Sequence, residues 1–123
     1  MKLQDIKFKA KSLLDGKWIE GDLMRIDGLC LIRNSTSITE VDPTTVCQYT
    51  EVVDVYSDKE LWEHDLLKDT KYGMIYEVLY DNINGCFSVK PTSGKWQHTL
   101  KLLSVFIRSY DYINLGSKFD KEV

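Results

Sequence analysis

Only three cysteines, two prolines and two histidines occur in this chain of 123 residues. The cysteines, Cys30, Cys47 and Cys86, are odd in number and far apart, with no Cys-x-x-Cys spacing. That excludes the common zinc and dithiol motifs and a disulfide framework, and it points to reduced thiols in an intracellular protein. No run approaches the roughly 18 consecutive apolar residues that span a bilayer, so no membrane association is expected. Met1-Lys2-Leu3-Gln4-Asp5 lacks the apolar stretch of a secretion signal, so a soluble, cytoplasmic protein is expected. No glycine-rich phosphate cradle, metal-ligand spacing or nucleophile with a neighbouring base is present. The expectation is therefore a protein with no cofactor and no enzymatic activity.

What is there has the balance of a folded chain, with 43% hydrophobic and 28% charged residues. A chain of this length buries roughly two thirds of its unfolded surface, enough for a core without cross-links. The net charge of −3 is unevenly spread. Residues 1–35 carry seven basic against five acidic side chains, residues 36–81 three against eleven, and residues 82–123 six against three. The middle is an acidic belt between two mildly basic ends. It repels a phosphate backbone, and its plainest reading is a solvated face.

Polar and apolar residues alternate along most of the chain, the period of half-buried strands. Ile6, Phe8 and Ala10 alternate with Lys7, Lys9 and Lys11, whose outward charges read as protection of a sheet edge. Asp15-Gly16 turns into a second strand over residues 17–26, where Gly21 marks a bulge or a close backbone approach. Asp27-Gly28 is a two-residue hairpin turn into a third strand at residues 29–33. Residues 34–39 read as a loop. Asp42 caps a single 3-10-like turn opened by Pro43, and a strand follows through Gln48-Tyr49. Residues 66–68 begin a second group of strands. Residues 74–80 are apolar on both faces, as in a central strand. Asn82 to Gly85 closes a hairpin with residues 86–89, and residues 91–94 are a loop. Trp96, Leu100, Leu103 and Ile107 recur at helical spacing and predict one short helix. A last strand covers residues 110–115, ended by Gly116, and the polar tail from Lys118 is expected to be mobile. The sum is a mainly β protein, one domain of two subdomains at about 1–56 and 57–123.

Four stretches, in order along residues 6–120, carry a family resemblance. They are Phe8-Lys9-Ala10-Lys11 with Gly16-Lys17-Trp18-Ile19-Glu20-Gly21; Val41-Asp42-Pro43-Thr44-Thr45-Val46 with Gln48-Tyr49-Thr50; Asp58-Lys59-Glu60-Leu61-Trp62-Glu63-His64-Asp65-Leu66-Leu67; and Ile113-Asn114-Leu115-Gly116-Ser117. Together they resemble the boxes of the YopX-like family of phage and prophage proteins. This chain departs from that pattern where Cys47, Glu51 and His64 stand at usual glycines and Ser117 at the closing asparagine. Losing glycine is expected to hold those positions to ordinary φ, unless the residue tolerates the left-handed region as His sometimes does. The resemblance implies an N-terminal β-meander packed on a small barrel-like C-terminal subdomain with one short helix. It also implies a phage or prophage protein that self-associates and has no established activity.

Asp42, Thr44, Thr45 and Gln48 form the densest polar cluster with a defined local shape, and its ordinary role is a turn that satisfies its own backbone. His64 lies between Glu63 and Asp65, an arrangement that invites thoughts of a base or a metal ligand. On an extended chain, however, Glu63 and Asp65 share a face that His64 leaves, and Asp65 reads as a cap for backbone amides. These six residues are the candidate interaction surface. His98 stands alone, on a presumed helix surface. Cys47 beside Gln48 lacks a visible base, and Cys30 and Cys86 read as small core residues. Trp18, Trp62, Trp96 and the evenly spaced Tyr72, Tyr76 and Tyr80 read as core or subunit interface before they read as a stacking surface for bases.

The expected function is that of a non-enzymatic accessory protein working through protein contacts and self-association. Its partners are further copies of itself and a host or phage protein, and pairing of the oppositely charged segments favours an oligomer. The alternative is a nucleic-acid-binding module that uses Lys7, Lys9, Lys11 and the aromatics.

Overall fold

The computed structural model describes residues 6–54, 56–94 and 100–120. It is mainly β, with antiparallel sheets and one short helix. The chain forms two compact units, residues 1–51 and 52–123, against an expected division near residue 56. No helix among the described residues is long and apolar enough to cross a membrane.

The first unit contains β1 (Phe8–Lys11), β2 (Trp18–Ile26), β3 (Leu29–Arg33), β4 (Ile38–Glu40) and the start of β5 (Cys47–Val53). Their order is β4-β3-β2-β1-β5, antiparallel throughout. Asp27 and Gly28 both take positive φ, 52° and 80°, which is the twist a two-residue hairpin needs, and Ile26 faces Leu29 across it. Ala10, Cys30, Ile32 and Val41 are buried together, with Phe8, Ile19, Leu23 and Val46 packed on them. Strand β4 was not legible, because a three-residue strand in a Ser/Thr-rich stretch is made by its pairing with β3 and not by its own propensity.

The lysines of β1 do not guard an edge. That strand lies inside the sheet, between β2 and β5. Lys9 and Lys11 instead hold their ammonium groups over the Trp18 ring at 4.5 and 5.4 Å, and Lys7 lies over Tyr49 at 5.0 Å. The alternating pattern was read correctly as two faces. What covers the charged face is aromatic carbon, an attraction of cation and ring quadrupole.

The second unit contains β6 (Glu60–Trp62), β7 (Asp65–Asp69), β8 (Ile75–Asp81), β9 (Cys86–Pro91), β10 (Lys101–Leu102), α1 (Leu103–Ser109) and β11 (Tyr112–Ser117). Its sheet runs β10-β9-β8-β7-β11, so β8 is central as its two apolar faces required. The core gathers Leu61, Leu67, Tyr76, Val78, Val89, Leu103, Phe106 and Tyr112. The helix starts later than the Trp96/Leu100/Leu103/Ile107 spacing predicts. Lys101 and Leu102 pair with Val89 and Ser88 as a strand, and Phe106 joins Leu103 on the buried face of the helix. Trp96 and His98 lie outside the described residues. Gly116 does not end β11 but sits within it at φ 87°, beside the register shift after Asn114. Lys118–Asp120 is not a free tail either, since it forms a 3-10 turn.

Among the described residues one turn design recurs four times, opening at Ser12, Asp54, Asp69 and Asp81. In each, a Ser or Asp side chain accepts the amide of the residue two further on: Ser12 from Leu14 (3.1 Å), Asp54 from Tyr56 (2.9 Å), Asp69 from Lys71 (2.8 Å) and Asp81 from Ile83 (2.9 Å). The same residue's carbonyl accepts the amide of the fifth residue at 2.8–2.9 Å. That fifth residue, Gly16, Asp58, Gly73 or Gly85, takes a φ between 58° and 72°. This explains the acidic belt. Asp54, Asp65, Asp69 and Asp81 are buried and serve as backbone acceptors, so the belt is in part an internal scaffold and not a solvated face.

Candidate functional site

The two halves of the sequence-derived candidate set belong to different units. In the first, Asp42 accepts the Thr44 amide at 3.0 Å and the Thr44 hydroxyl at 2.8 Å, opening the 3-10 turn Pro43–Thr45 as its cap. Thr44 thereby holds the Asp42 carboxyl below its usual value, the side-chain bond first and the backbone bond second. Thr45 donates its hydroxyl to the Asp42 carbonyl at 2.8 Å and accepts the Lys11 amide at 2.9 Å. Gln48 lies opposite Phe8 in the β1–β5 pairing. Asp42, Thr44 and Thr45 thus satisfy the local backbone. Cys47 beside them is buried, with its thiol on the Thr45 carbonyl at 3.3 Å. Cys30 is buried in the core as expected, whereas Cys86 is only half-buried.

In the second unit Asp65 is buried and accepts the Trp62 amide at 2.9 Å, the capping role its position implied. His64 behaves differently from the extended-chain expectation. It takes φ 72° in a turn, so the alternation argument does not apply, and its Nε2 lies 4.0 Å from a Glu63 carboxylate oxygen. Its Nδ1 stands 2.7 Å from Glu77 Oε2, and Lys118 Nζ reaches the same oxygen at 3.0 Å. Phe119 packs edge-on against the imidazole at 5.3 Å between centroids. The Lys118 amide donates to the His64 carbonyl at 2.9 Å. These bonds clasp the last described turn to the β6–β7 turn and hold the left-handed backbone in place. Glu51, the second expected glycine position, is also left-handed, at φ 68°. The absence of glycine therefore did not force ordinary φ at either residue, whereas Cys47 does keep an ordinary φ within β5.

The His64 bond, followed by Lys118, holds the Glu77 carboxyl below its ordinary value of 4.5 against the opposing effect of burial. A carboxyl whose value is lowered by folding adds stability above the unfolded value, and that stability is lost as pH falls through the folded one. Glu77→Gln is accordingly expected to be less stable than the parent at neutral pH. The deficit should shrink as pH drops below about 4.5, as read from urea midpoints across pH 3–6. A deficit that stays constant into acid would mean that the clasp does not depend on the charge.

The larger feature is a cleft of about 560 Å³ in the second unit, lined by Asp69, Tyr72, Met74, Tyr76, Pro91, Lys101 and Tyr110. Tyr72 stands at the tip of the 69–73 turn and is exposed. Tyr76 is buried beneath, its phenol pushed above the usual value by that burial. Phe106 stacks on Tyr110 at 4.6 Å with the planes 13° apart, and Lys101 Nζ lies over the Tyr110 ring at 5.6 Å. Lys71 similarly lies over Tyr72 at 5.2 Å. Asp69 is spent on its own turn. Sequence reasoning grouped Tyr72 and Tyr76 with Tyr80 by their equal spacing, but Tyr80 packs on Phe87 instead. Tyr110, Met74, Pro91 and Lys101 were missed as partners, because the cleft is assembled from four separate stretches of chain.

Among the described residues no group of three or more His, Cys, Asp or Glu side chains converges as a metal site would require. The fold and the cleft together define a two-unit antiparallel β protein with an aromatic surface groove. No protein-family model and no curated protein matches the chain.

Proposed function

We propose that this chain is a non-enzymatic accessory protein that works through contacts with other proteins, including copies of itself. The observations that carry the reading are the aromatic cleft of the second unit and, in each unit, turn tips that hold large apolar side chains in solvent. Leu14 and Ile83 are each 93% exposed, and Tyr72 is 74% exposed. Each tip is fixed by a Ser or Asp side chain accepting a turn amide, so a rigid apolar contact is presented at little cost in conformational entropy.

Segregated charge does not support self-association once the units are known. Residues 1–51 hold seven basic and eight acidic side chains, and residues 52–123 nine and eleven, so both units are near balance. A better basis lies in the first unit, where exposed Leu13 and Leu14 stand beside Ile38 of β4, the strand at that end of the sheet. The Leu13 amide already bonds the Glu40 carbonyl at 3.1 Å on the outer side of β4, so the contact offered is the exposed apolar side chains and not an open strand edge. Sedimentation velocity from micromolar to millimolar chain is expected to show a concentration-dependent oligomer that Leu14→Lys disperses. A single monomeric species over that range would remove self-association from the reading. The nucleic-acid alternative is the less favoured reading, since Lys7, Lys9 and Lys11 each lie over a ring face of Trp18 or Tyr49 that a base would stack on.

A further inference from the structure

We infer that the tyrosine-lined cleft of the second unit binds an extended acidic peptide segment of a partner protein, which seats an aliphatic side chain against Met74 and Pro91. The inference rests on the protein-contact reading above and names the chemistry of one partner. Charge decides the sign. The chain as a whole is negative, yet the carboxylate in the cleft wall, Asp69, is only 2% exposed and is bonded to its own turn. Of the lining side chains Lys101 supplies an ammonium group, beside Tyr110, and Lys71 lies outside the lining, over the Tyr72 ring. The charge a ligand can touch there is the Lys101 ammonium, since the Asp69 carboxylate is shielded from contact, which favours a carboxylate beside an apolar anchor.

The aromatic geometry separates a peptide from a single-stranded nucleic acid. Stacking of bases needs open ring faces. Phe106 already stacks on Tyr110, Lys101 and Lys71 lie over Tyr110 and Tyr72, and Tyr76 is only 5% exposed. What remains for a ligand is one open face of Tyr72, ring edges and hydroxyls, together with the Met74 thioether and the Pro91 ring, and a single open face does not make a series of stacked bases. An adaptable methionine and a flat proline suit an aliphatic side chain. A volume of about 560 Å³ is of the size that takes a few residues of extended chain.

Fluorescence anisotropy of the full chain tests this with three labelled probes: a peptide of alternating glutamate and leucine, its lysine–leucine counterpart, and an oligothymidylate. The glutamate–leucine peptide is expected to bind, more weakly as salt rises. Lys101→Glu should weaken it roughly tenfold, and Lys71→Glu should weaken it as well. Because Lys71 lies on an exposed turn, its variant keeps the test open if the change in β10 disturbs folding. Four results would overturn the inference: no binding of the acidic peptide at millimolar concentration, equal binding of the lysine peptide, oligothymidylate binding that Lys101→Glu abolishes, or unchanged acidic-peptide affinity in both variants. If the acidic peptide fails while the oligomer dispersed by Leu14→Lys is still present, the peptide inference falls and the protein-contact reading stands.

Discussion

Gly21→Ala is expected to lower the stability of the first unit by about 3 kcal/mol, the upper end of what an overpacked site costs. The reason is contact with backbone. A Cβ at position 21 would run into the carbonyl oxygen of Arg33 and stand 2.9 Å from its carbonyl carbon, with Ile32 Cγ2 at 3.1 Å. Arg33 is paired in register with Asp22, so β2 and β3 must part to make room. No rotamer change relieves a clash with a main-chain atom. The control is Gly16→Ala. Its φ of 72° is equally unlike that of most side-chain-bearing residues, yet nothing lies within 4 Å of the added carbon. There only the left-handed backbone penalty of about 1 kcal/mol applies. Urea unfolding of both variants, with amide exchange read along β2 and β3, separates the two costs. Equal midpoints would show that the close approach is not rigid.

That glycine illustrates how much of the fold the chain displays in its sequence. Gly21 inside an alternating strand, Asp27-Gly28 between two apolar runs and Asp42-Pro43 before a polar stretch each have a local stereochemical cause, and each appears where expected. The recurring turns were half visible. Ser12 to Gly16, Asp69 to Gly73 and Asp81 to Gly85 share one spacing, but at residues 54–58 the fifth residue is Asp58, which hides the repeat. What the sequence withheld is what depends on pairing between distant segments. Strands β4, β6 and β10 are two or three residues long and exist through their neighbours. The helix was misplaced because Leu100 shares the helical spacing although Lys101–Leu102 is drawn into the sheet by β9. The candidate site was less legible still. Of the six residues chosen, His64 joins side chains from three elements, and it does so with Glu77 and Lys118, 13 and 54 positions away, which no local pattern could pair with it. The cleft draws on residues from Asp69 to Tyr110.

The belt of acidic residues gives the second large expectation, because it turns from surface charge into internal structure. Asp54 is 1% exposed and its carboxylate accepts from the Tyr56 amide at 2.9 Å, the Ser57 hydroxyl at 2.9 Å and the Tyr112 hydroxyl at 3.0 Å. Asp54→Ala is expected to cost the second unit roughly 3 kcal/mol, the largest share from losing the charged acceptor of the buried Tyr112 hydroxyl, since a hydrogen bond to a charged group contributes about 1.5–3 kcal/mol. Water can reach the donors of exposed Tyr56 and Ser57, so they add less. Asp54→Asn keeps an acceptor oxygen for Tyr112 and offers its amide to the Ser57 oxygen, and should cost under about 1 kcal/mol. Tyr112→Phe removes the donor itself. The Asp54→Ala/Tyr112→Phe double variant should then lose about 1–2 kcal/mol less than the two single losses added together, the coupling expected of side chains in direct contact. Simple additivity in a double-mutant cycle of urea midpoints would show that the pair is not joined. The same bond network has a consequence for binding. The Tyr56 hydroxyl donates to Asp111 at 3.0 Å, and Thr70 of the 69–73 turn donates its amide and hydroxyl to the Asp111 carbonyl at 3.0 and 3.1 Å. Loosening Asp54 therefore frees the Tyr56 tip and weakens the bracing of the turn that carries Tyr72. Asp54→Ala should lower peptide affinity at the cleft even at temperatures where the sheet stays folded, whereas Asp54→Asn should leave it intact.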